Sequence, residues 1–151
     1  FGTIDVADDE IVTFTQPIIG FQQFRRFALL DGDAESGLRW LQSTDTGDLA
    51  FIVMDPRMVV PEYKFNLGRH ELDELAVQSE RELEAYTLVV VPSDPAKIRT
   101  NLKAPILLNR AQRLAKQTIL ENSDYPVRFE LRQAQAGAAS PQEVSHARTD
   151  S

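Results

Sequence analysis

Cysteine is absent from this chain, and only two histidines, His70 and His146, can supply imidazole. The absence of cysteine excludes disulfides, thiolate metal sites and cysteine nucleophiles. Glycine-rich phosphate-binding loops of both common types are also missing. These absences remove several common means of catalysis. Acid–base catalysis by paired carboxylates stays open, since the chain has 23 acidic side chains. We expect a protein that makes or breaks no bonds and has neither a cofactor nor a resident metal.

Long hydrophobic runs are missing as well. No apolar stretch approaches the roughly 20 residues that a membrane-spanning helix needs. No basic start followed by an apolar stretch suggests a signal peptide. We expect a cytoplasmic protein with no membrane partner.

The composition is that of one soluble domain. The chain has 151 residues, of which 42% are hydrophobic and 26% are charged. It carries 16 basic and 23 acidic side chains, a formal net charge of -7. An acidic surface repels nucleic-acid phosphates and favours a basic partner. We therefore expect no direct nucleic-acid partner.

Short β-branched and aromatic runs separated by turn residues recur along the chain. Such runs are typical of strands, and they predict strands at residues 2–6, 10–14, 27–30, 38–43, 49–54, 87–91 and 116–120, and a bend with a further strand over residues 101–109. Residues 58–60 and 63–65 flank Pro61, which indicates a bent edge strand. The predicted class is mostly β: a small antiparallel β-barrel-like domain with a few short helices.

Helical signals are confined to the middle of the chain. Residues 69–76 place Leu72 and Leu75 on one side of a short helix, and Ser79 with Glu82 matches a capping box. Residues 110–117 suit either a helical turn or a loop leading into a strand, and we favour the loop. The domain is predicted to span residues 1–132. Residues 133–151 lack large apolar side chains apart from one valine and are predicted to be a disordered tail.

Three segments approach a catalytic or metal-binding motif. His70 and Glu71 begin like a zinc-protease helix, but position 74 is glutamate where a second histidine is needed. Residues 31–35 begin like a calcium loop, but Ser36 and Gln42 stand where that loop needs glycine and an acid. Ser43 lies near several aspartates without an adjacent base, which indicates a turn.

Charge is unevenly spread along the second half of the chain. Acids dominate residues 71–84, whereas residues 96–120 contain Lys97, Arg99, Lys103, Arg110, Arg113 and Lys116 and no acid. Two solvated faces would explain both stretches. The acidic stretch could instead dock a basic protein, and the basic stretch could contact RNA. The basic stretch has no aromatic side chain for base stacking, which disfavours RNA.

An ordered set of short phrases resembles the FliW family of flagellar assembly factors. The phrases run from Gly2 to about Tyr125 and include Ile19-Gly20-Phe21, Trp40-Leu41-Gln42-Ser43, Asp48-Leu49-Ala50-Phe51-Ile52-Val53, Val60-Pro61-Glu62-Tyr63, Val91-Pro92 with Asp94-Pro95, Thr100-Asn101-Leu102-Lys103-Ala104-Pro105-Ile106 and Lys116-Gln117-Thr118-Ile119-Leu120. Each phrase alone is weak, and the ordered set is specific. Ile18-Ile19-Gly20 stands where an Ile-Pro-Gly sequence is more usual.

The resemblance implies a small barrel without catalytic activity and two protein partners. One is flagellin, held in the cytoplasm before export, and the other is the translational repressor CsrA. In the family, the free factor binds CsrA away from its RNA surface, and flagellin competes by sequestering the factor. We expect a monomer when neither partner is bound.

Contact residues are chosen from the quoted phrases and from the acidic stretch. The candidates are Glu62, Tyr63, Asn101, Lys103, Ala104 and Pro105, together with Glu71, Asp73 and Glu74 for a basic partner. Turns and solvated charges explain each of them equally well. A small-molecule-binding barrel or enzyme is the alternative function, and a core without a cavity would count against it.

Overall fold

Short strands form most of the protein, and the predicted mostly β class is confirmed. The computed structural model describes residues 11–32 and 37–131. The strands are β1 Ile11–Phe14, β2 Arg26–Asp31, β3 Leu38–Ser43, β4 Ala50–Met54, β5 Glu84–Val90, β6 Arg99–Thr100, β7 Ile106–Asn109, β8 Leu114–Gln117 and β9 Phe129–Glu130. The α-helix α1 spans Arg69–Glu74, and 3-10 helices lie at Pro56–Met58, Glu80–Glu82 and Pro95–Lys97.

The strands form one sheet that closes on itself. Their order is β4-β3-β2-β1-β8-β7-β5-β6-β9, and β4 also pairs with β5. This pairing closes β1 to β5, β7 and β8 into a barrel and leaves β6 and β9 as an extension outside it. The pairs are antiparallel except for β1 with β8, which run parallel. The predicted antiparallel barrel is confirmed with this one exception.

The parallel pair is short because a proline ends it. Thr13 donates its backbone N–H to the Arg113 carbonyl at 2.9 Å, and Thr15 donates to the Ala115 carbonyl at 2.8 Å. The next donor in this ladder would be residue 17, and Pro17 has no N–H. β1 therefore leaves β8, and the chain turns through Gly20, which adopts a φ of 92°.

Large apolar side chains fill the inside of the barrel. Phe14 and Phe27 are fully buried and meet edge to face, with ring centroids 5.4 Å apart. The space left among the lining residues is a cavity of about 10 Å³, which is at most the room of one water. The aromatic side chains of Phe21, Trp40 and Phe51 are half-buried.

A second core lies outside the barrel wall. It packs α1 and the loops on either side of it against the outer faces of β7 and β8, and contains Tyr63, Phe65, Leu72, Leu75, Val77, Leu83, Ala85, Leu102, Leu107 and Leu120. Leu72 and Leu75 both pack into this core, as predicted, but α1 ends at Glu74 and Leu75 is its C-cap residue. Asn109 donates its side-chain amide to the Leu75 carbonyl at 2.8 Å, which attaches the end of α1 to β7.

The predicted bent edge strand at residues 58–60 and 63–65 is wrong. Residues Pro56–Met58 form a 3-10 helix instead. The Asp55 carboxylate accepts the Arg57 N–H at 2.9 Å, and Pro56 occupies the first helical position, where proline is favoured. A further turn follows, in which Tyr63 donates its N–H to the Val60 carbonyl at 2.8 Å.

Strand boundaries differ from the prediction where distant pairing decides them. β5 starts at Glu84 because Glu84 to Tyr86 pair with β7. β8 starts at Leu114 because Leu114 pairs with Asn109, so the predicted loop over residues 110–117 covers only its first part. The capping box is confirmed: the Glu82 carboxylate accepts the Ser79 N–H at 3.1 Å, at the start of a 3-10 helix.

Some predictions lie outside the described residues. These are the strand at residues 2–6, the end of the calcium-like loop and the tail at residues 133–151. Within the part of the chain that the structure describes, no helix has the length and apolar character required to span a bilayer.

Candidate functional site

Exposed aliphatic side chains meet in one groove at an end of the barrel. Ile19, Ile119 and Val127 are 62%, 50% and 55% exposed. Together with Asn101, Lys103, Ala104 and Gln117 they line a groove of about 330 Å³ that opens to solvent. Isolated exposed aliphatics need no explanation, but a group that lines one groove is typical of an interaction site.

The groove continues the inner face of the barrel beyond its filled interior. Ile106 and Ala115 line the interior. Because side chains alternate along a strand, Ala104 lies on the same face as Ile106, and Gln117 and Ile119 lie on the same face as Ala115. The two segments stay paired past the strand ends, since Thr118 donates to the Pro105 carbonyl at 3.0 Å and Leu120 to the Lys103 carbonyl at 2.8 Å.

Amide groups hold the walls of the groove in place. The Gln117 side-chain oxygen accepts the Ile19 N–H at 3.1 Å, and its amide nitrogen donates to the Ala104 carbonyl at 3.2 Å. Gln117 thus joins the loop after β1 to the loop before β7. Asn101 accepts the Lys103 N–H at 3.0 Å, which shapes the turn at that loop.

Lys103 is the ionisable residue of the groove lining. Its ammonium donates to the Ser123 carbonyl at 3.2 Å, and it is absent from the ion pairs found among residues 11–32 and 37–131. Among the residues that the structure describes, no carboxylate lines the groove. The groove is therefore apolar with one positive charge.

Tyr63 and Pro105 lie behind the groove rather than on its surface. Tyr63 is 1% exposed and stacks on Tyr125, with ring centroids 4.6 Å apart. Its hydroxyl donates to the Leu102 carbonyl at 2.7 Å. Burial raises the pKa of the Tyr63 phenol, so the hydroxyl keeps its proton and remains a donor. Both side chains support the loop that carries Asn101, Lys103 and Ala104.

The acids Glu71 and Glu74 face inward onto a lysine. The Lys116 ammonium lies 2.9 Å from a Glu74 carboxylate oxygen and 3.3 Å from a Glu71 oxygen. Thr118 donates to Glu71 at 2.9 Å, and Gln16 donates to Glu74 at 3.0 Å. The structure therefore places these two acids in a polar cluster that joins α1 to β8.

The pKa values in this cluster shift in the directions that the pairing requires. Burial alone would raise the pKa of Glu74, but hydrogen bonds from Lys116, Thr15 and Gln16 hold it below its ordinary value. Burial alone would lower the pKa of Lys116, but hydrogen bonds to Glu74 and Glu71 raise it. Glu74 and Lys116 are therefore both charged at neutral pH.

The other predicted acids are on the surface. Asp73 is exposed and lies 3.4 Å from Arg69 one helical turn away, and Glu62 is exposed in the turn after Pro61. Neither lies in the groove lining. The structure thus brings Asn101, Lys103 and Ala104 together and keeps the predicted acids elsewhere.

The acidic and basic stretches of the sequence are partly paired with each other. Besides the Lys116 cluster, Arg110 donates to both Glu84 carboxylate oxygens, at 2.7 and 2.8 Å. This contact lowers the pKa of Glu84 and raises that of Arg110. Two of the six bases proposed for RNA contact are therefore already paired with acids, which weakens that hypothesis. The surplus acids lie mainly in residues 1–10 and 33–36, outside the described residues.

Ser43 shapes a turn, as the sequence indicated. Its hydroxyl oxygen accepts the N–H groups of Asp45 and Thr46 at 3.0 and 3.3 Å, and the residue is 3% exposed. His70 is exposed on α1. Across the described residues, no group of three or more histidines and acids is arranged to hold a metal ion.

Ile19, Gln117, Ile119 and Val127 line the groove but were not predicted as contacts. Ile19, Gln117 and Ile119 occur in the phrases quoted for the resemblance. Alternation in residues 116–120 gave a further signal, because a strand half-buried on one face exposes every second side chain. Val127 follows Pro126 in a polar stretch and gave no such signal.

Comparisons with known proteins agree with this architecture. The family model for the FliW protein matches residues 1–131. A flagellar assembly factor FliW from Ruminiclostridium cellulolyticum is 36% identical over 129 residues, covering 85% of this chain and 87% of the relative. One from Thermoanaerobacter pseudethanolicus is 34% identical over 143 residues, covering 91% and 95%.

A solved structure shows the same fold. The crystal structure of a flagellar assembly factor FliW superposes with a TM-score of 0.76 at 33% identity, covering 85% of this chain and 89% of that one. Residues 1–131, which the family model matches, include the strands of the barrel and the lining of the groove. The chain belongs to the FliW family of flagellar assembly factors.

Proposed function

We propose that this protein binds flagellin in the cytoplasm and antagonises the translational repressor CsrA by binding it away from its RNA surface. Partner exchange would then couple flagellin synthesis to export. The observation that carries the proposal is the groove of exposed aliphatic side chains on a barrel of the FliW family.

The filled interior supports a binding function over the alternative of a small-molecule barrel. Ligand pockets in proteins commonly enclose about 300–1,000 Å³. The interior cavity here is about 10 Å³. The groove is larger than this cavity, opens to solvent and has room for side chains of another protein, and among the described residues Lys103 is the one ionisable side chain that lines it.

Exchange between two partners follows from mass action. Free factor binds CsrA and lowers the concentration of active repressor. When flagellin accumulates, it occupies the factor and CsrA is released. This coupling requires that binding of one partner lowers the affinity of the factor for the other. By linkage, the second partner lowers the affinity for the first by the same ratio.

The proposed contact surface combines some of the predicted residues with groove residues that were not predicted from the sequence. Asn101, Lys103 and Ala104 line the groove with Ile19 and Ile119. Glu62 and Asp73 are exposed and remain proposed contacts for a basic partner. Tyr63, Pro105, Glu71 and Glu74 are proposed to act indirectly by holding these surfaces in place.

Calorimetry with purified proteins tests the proposal. The full chain is titrated with flagellin and, separately, with CsrA from the same organism, and a preformed complex with CsrA is then challenged with flagellin. We expect saturable binding of each partner and release of CsrA by flagellin. An RNA-binding assay with CsrA serves as readout of the antagonism. Failure to bind either protein would refute the proposal.

A further inference from the structure

We propose that Glu143 and Val144, in the C-terminal segment of residues 132–151, bind in the groove of the same chain. In this arrangement Val144 lies between the exposed aliphatic side chains, and the Glu143 carboxylate meets the Lys103 ammonium at the rim. The groove is then closed to other proteins until the segment leaves it. Because the contact lies within one chain, it does not depend on the proposed function.

The groove has exposed apolar walls that suit an aliphatic side chain. Ile19, Ile119 and Val127 are each at least half exposed, although the groove continues the face that lines the barrel core. An aliphatic group placed between them extends that core and removes apolar surface from water on both sides of the contact. The groove, at about 330 Å³, has room for a valine side chain.

The groove also carries a positive charge without a counterion. Among the described residues Lys103 is the one ionisable side chain of the lining, and its ammonium donates to the neutral Ser123 carbonyl. It takes part in none of the ion pairs formed within residues 11–32 and 37–131. A carboxylate brought to the rim is therefore attracted, and the flexible stem of lysine lets the ammonium meet it.

Ile119 offers a main-chain donor beside the groove. Thr118 and Leu120 donate their N–H groups to the carbonyls of Pro105 and Lys103. In extended chain the N–H of Ile119, between them, points to the opposite side. No main-chain carbonyl of the described residues accepts it. A β-branched residue such as valine favours extended chain, so a carbonyl of its segment can accept this N–H as an added strand does.

The C-terminal segment contains one side chain of the kind that these walls accept. Val144 is the only valine, leucine, isoleucine, methionine or aromatic residue in residues 132–151, and an acid, Glu143, directly precedes it. With a single large apolar side chain, the segment cannot build a core of its own. Val144 can therefore leave water only through contact with the domain or with another molecule.

The segment is long enough to reach the groove. Leu131 donates its N–H to the Ile98 carbonyl at 2.9 Å, which fixes the start of the segment beside β9. Val127 of the groove lining is four residues earlier, so the gap is at most about 14 Å. The 13 residues from Leu131 to Val144 extend over roughly 45 Å. A tether of this length holds Val144 near the groove at an effective concentration on the order of millimolar.

Occupancy by the segment makes the groove a regulated surface. A protein that binds there meets only the fraction of chains whose groove is free. Its apparent dissociation constant therefore rises in inverse proportion to that fraction. By linkage, binding of such a protein displaces the segment.

Spin labelling of the full chain tests the contact. The chain has no cysteine, so Ser145→Cys creates a single site for a nitroxide next to Val144. A nitroxide broadens the NMR signals of nearby nuclei. We expect the methyl signals of Ile119 and Ile19 to broaden more than that of Val91, which is exposed but does not line the groove.

Substitutions in the labelled chain measure the two parts of the contact through this broadening. Val144→Asp should lower the ratio of occupied to free groove about tenfold or more, because burial of an aliphatic side chain is lost. Glu143→Lys and Lys103→Glu should each lower the ratio about two- to fivefold, as loss of an exposed ion pair does. Combining these two substitutions exchanges the charges and should restore the ratio.

Two control variants change charge outside the contact. Asp150→Lys alters the other acid of the segment, and Lys97→Glu alters an exposed lysine that does not line the groove. Each should change the ratio by less than about twofold, since salt screens exposed charges that are not in contact. An effect of Asp150→Lys as large as that of Glu143→Lys would overturn the assignment of Glu143 to Lys103.

The remaining outcomes decide whether the segment occupies the groove of its own chain. Absence of broadening at Ile119, or broadening that Val144→Asp leaves unchanged, would refute the contact. The nitroxide-labelled chain is also mixed with an isotope-labelled chain that carries no nitroxide. Broadening in that mixture would place the segment in the groove of a second copy and refute the intramolecular contact. Neither flagellin nor CsrA is present, so failure here leaves the proposed function untouched.

Discussion

The phenolic oxygen of Tyr63 lies 2.7 Å from the main-chain carbonyl oxygen of Leu102 and donates a hydrogen bond to it. Both residues are buried, at 1% and 0% exposure. Leu102 stands between Asn101 and Lys103, which line the groove. This bond therefore ties the outer core to the loop that forms one wall of the proposed binding surface.

Removing that hydroxyl should destabilise the protein. Tyr63→Phe keeps the ring and leaves the Leu102 carbonyl buried without its donor, which costs about 1–3 kcal/mol of unfolding free energy. Urea denaturation measures the change. Tyr125→Phe is the matched control, because its hydroxyl accepts the Lys64 N–H at 3.1 Å at an exposed position. An equal loss in both variants would contradict the role given to Tyr63.

Removing the Lys116 cation between α1 and β8 should lower the free energy of unfolding more than removing a surface cation does. Lys116→Met leaves Glu71 and Glu74 close together without their shared partner. We expect a loss of about 1–3 kcal/mol, less than for a fully buried pair because both acids are partly exposed. Arg69→Met breaks an exposed ion pair with Asp73 and should cost less than about 0.5 kcal/mol. Chemical denaturation measures the loss of unfolding free energy in both variants. Similar losses would contradict the stabilising role given to Lys116, Glu71 and Glu74.

Acid should weaken the fold through Glu74. The pKa of Glu74 lies below its ordinary value of 4.5 in the folded protein, so the unfolded chain binds a proton first as the pH falls. The stabilisation is complete above pH 4.5 and is lost as the pH falls through the lower, folded pKa. Denaturation between pH 7 and pH 3 should show a shallower decline for Glu74→Gln. Asp73→Gln, at an exposed position, serves as the control, and identical slopes for Glu74→Gln and the unchanged protein would count against the mechanism.

Gln117 should matter more for binding than for stability. Gln117→Met removes the acceptor for the Ile19 N–H and the donor to Ala104 while keeping the length of the side chain. Because Ile19 is exposed, water can replace the lost acceptor, and we expect a stability loss below about 1 kcal/mol. Flagellin affinity should fall about three- to tenfold because the two walls are no longer joined. Calorimetry measures the flagellin affinity of Gln117→Met and of a control variant, Gln112→Met, at an exposed position outside the groove. Unchanged affinity for Gln117→Met would show that the groove does not need this bridge.

Local chemistry explains why much of the fold was predictable. β-branched and aromatic runs predicted the barrel strands, and Ser79 with Glu82 predicted a cap that the structure contains. The error at residues 58–65 has a local cause too, since Asp55 and Pro56 start a 3-10 helix that outweighs the strand preference of Val59 and Val60. Asn101, Lys103 and Ala104 were predicted because they belong to one continuous phrase.

The sequence by itself determined the strand-rich class, the lack of thiol chemistry and the cap formed by Ser79 and Glu82, because each depends on composition or on residues that are near neighbours in the chain. Only the tertiary structure decided which charges are paired and which aliphatics stay exposed. Glu74 meets Lys116 across 42 positions, and the groove gathers residues from Ile19 to Val127. The closure of the barrel brings these residues together in space. The order of charged and hydrophobic residues along the chain does not predict which of them meet.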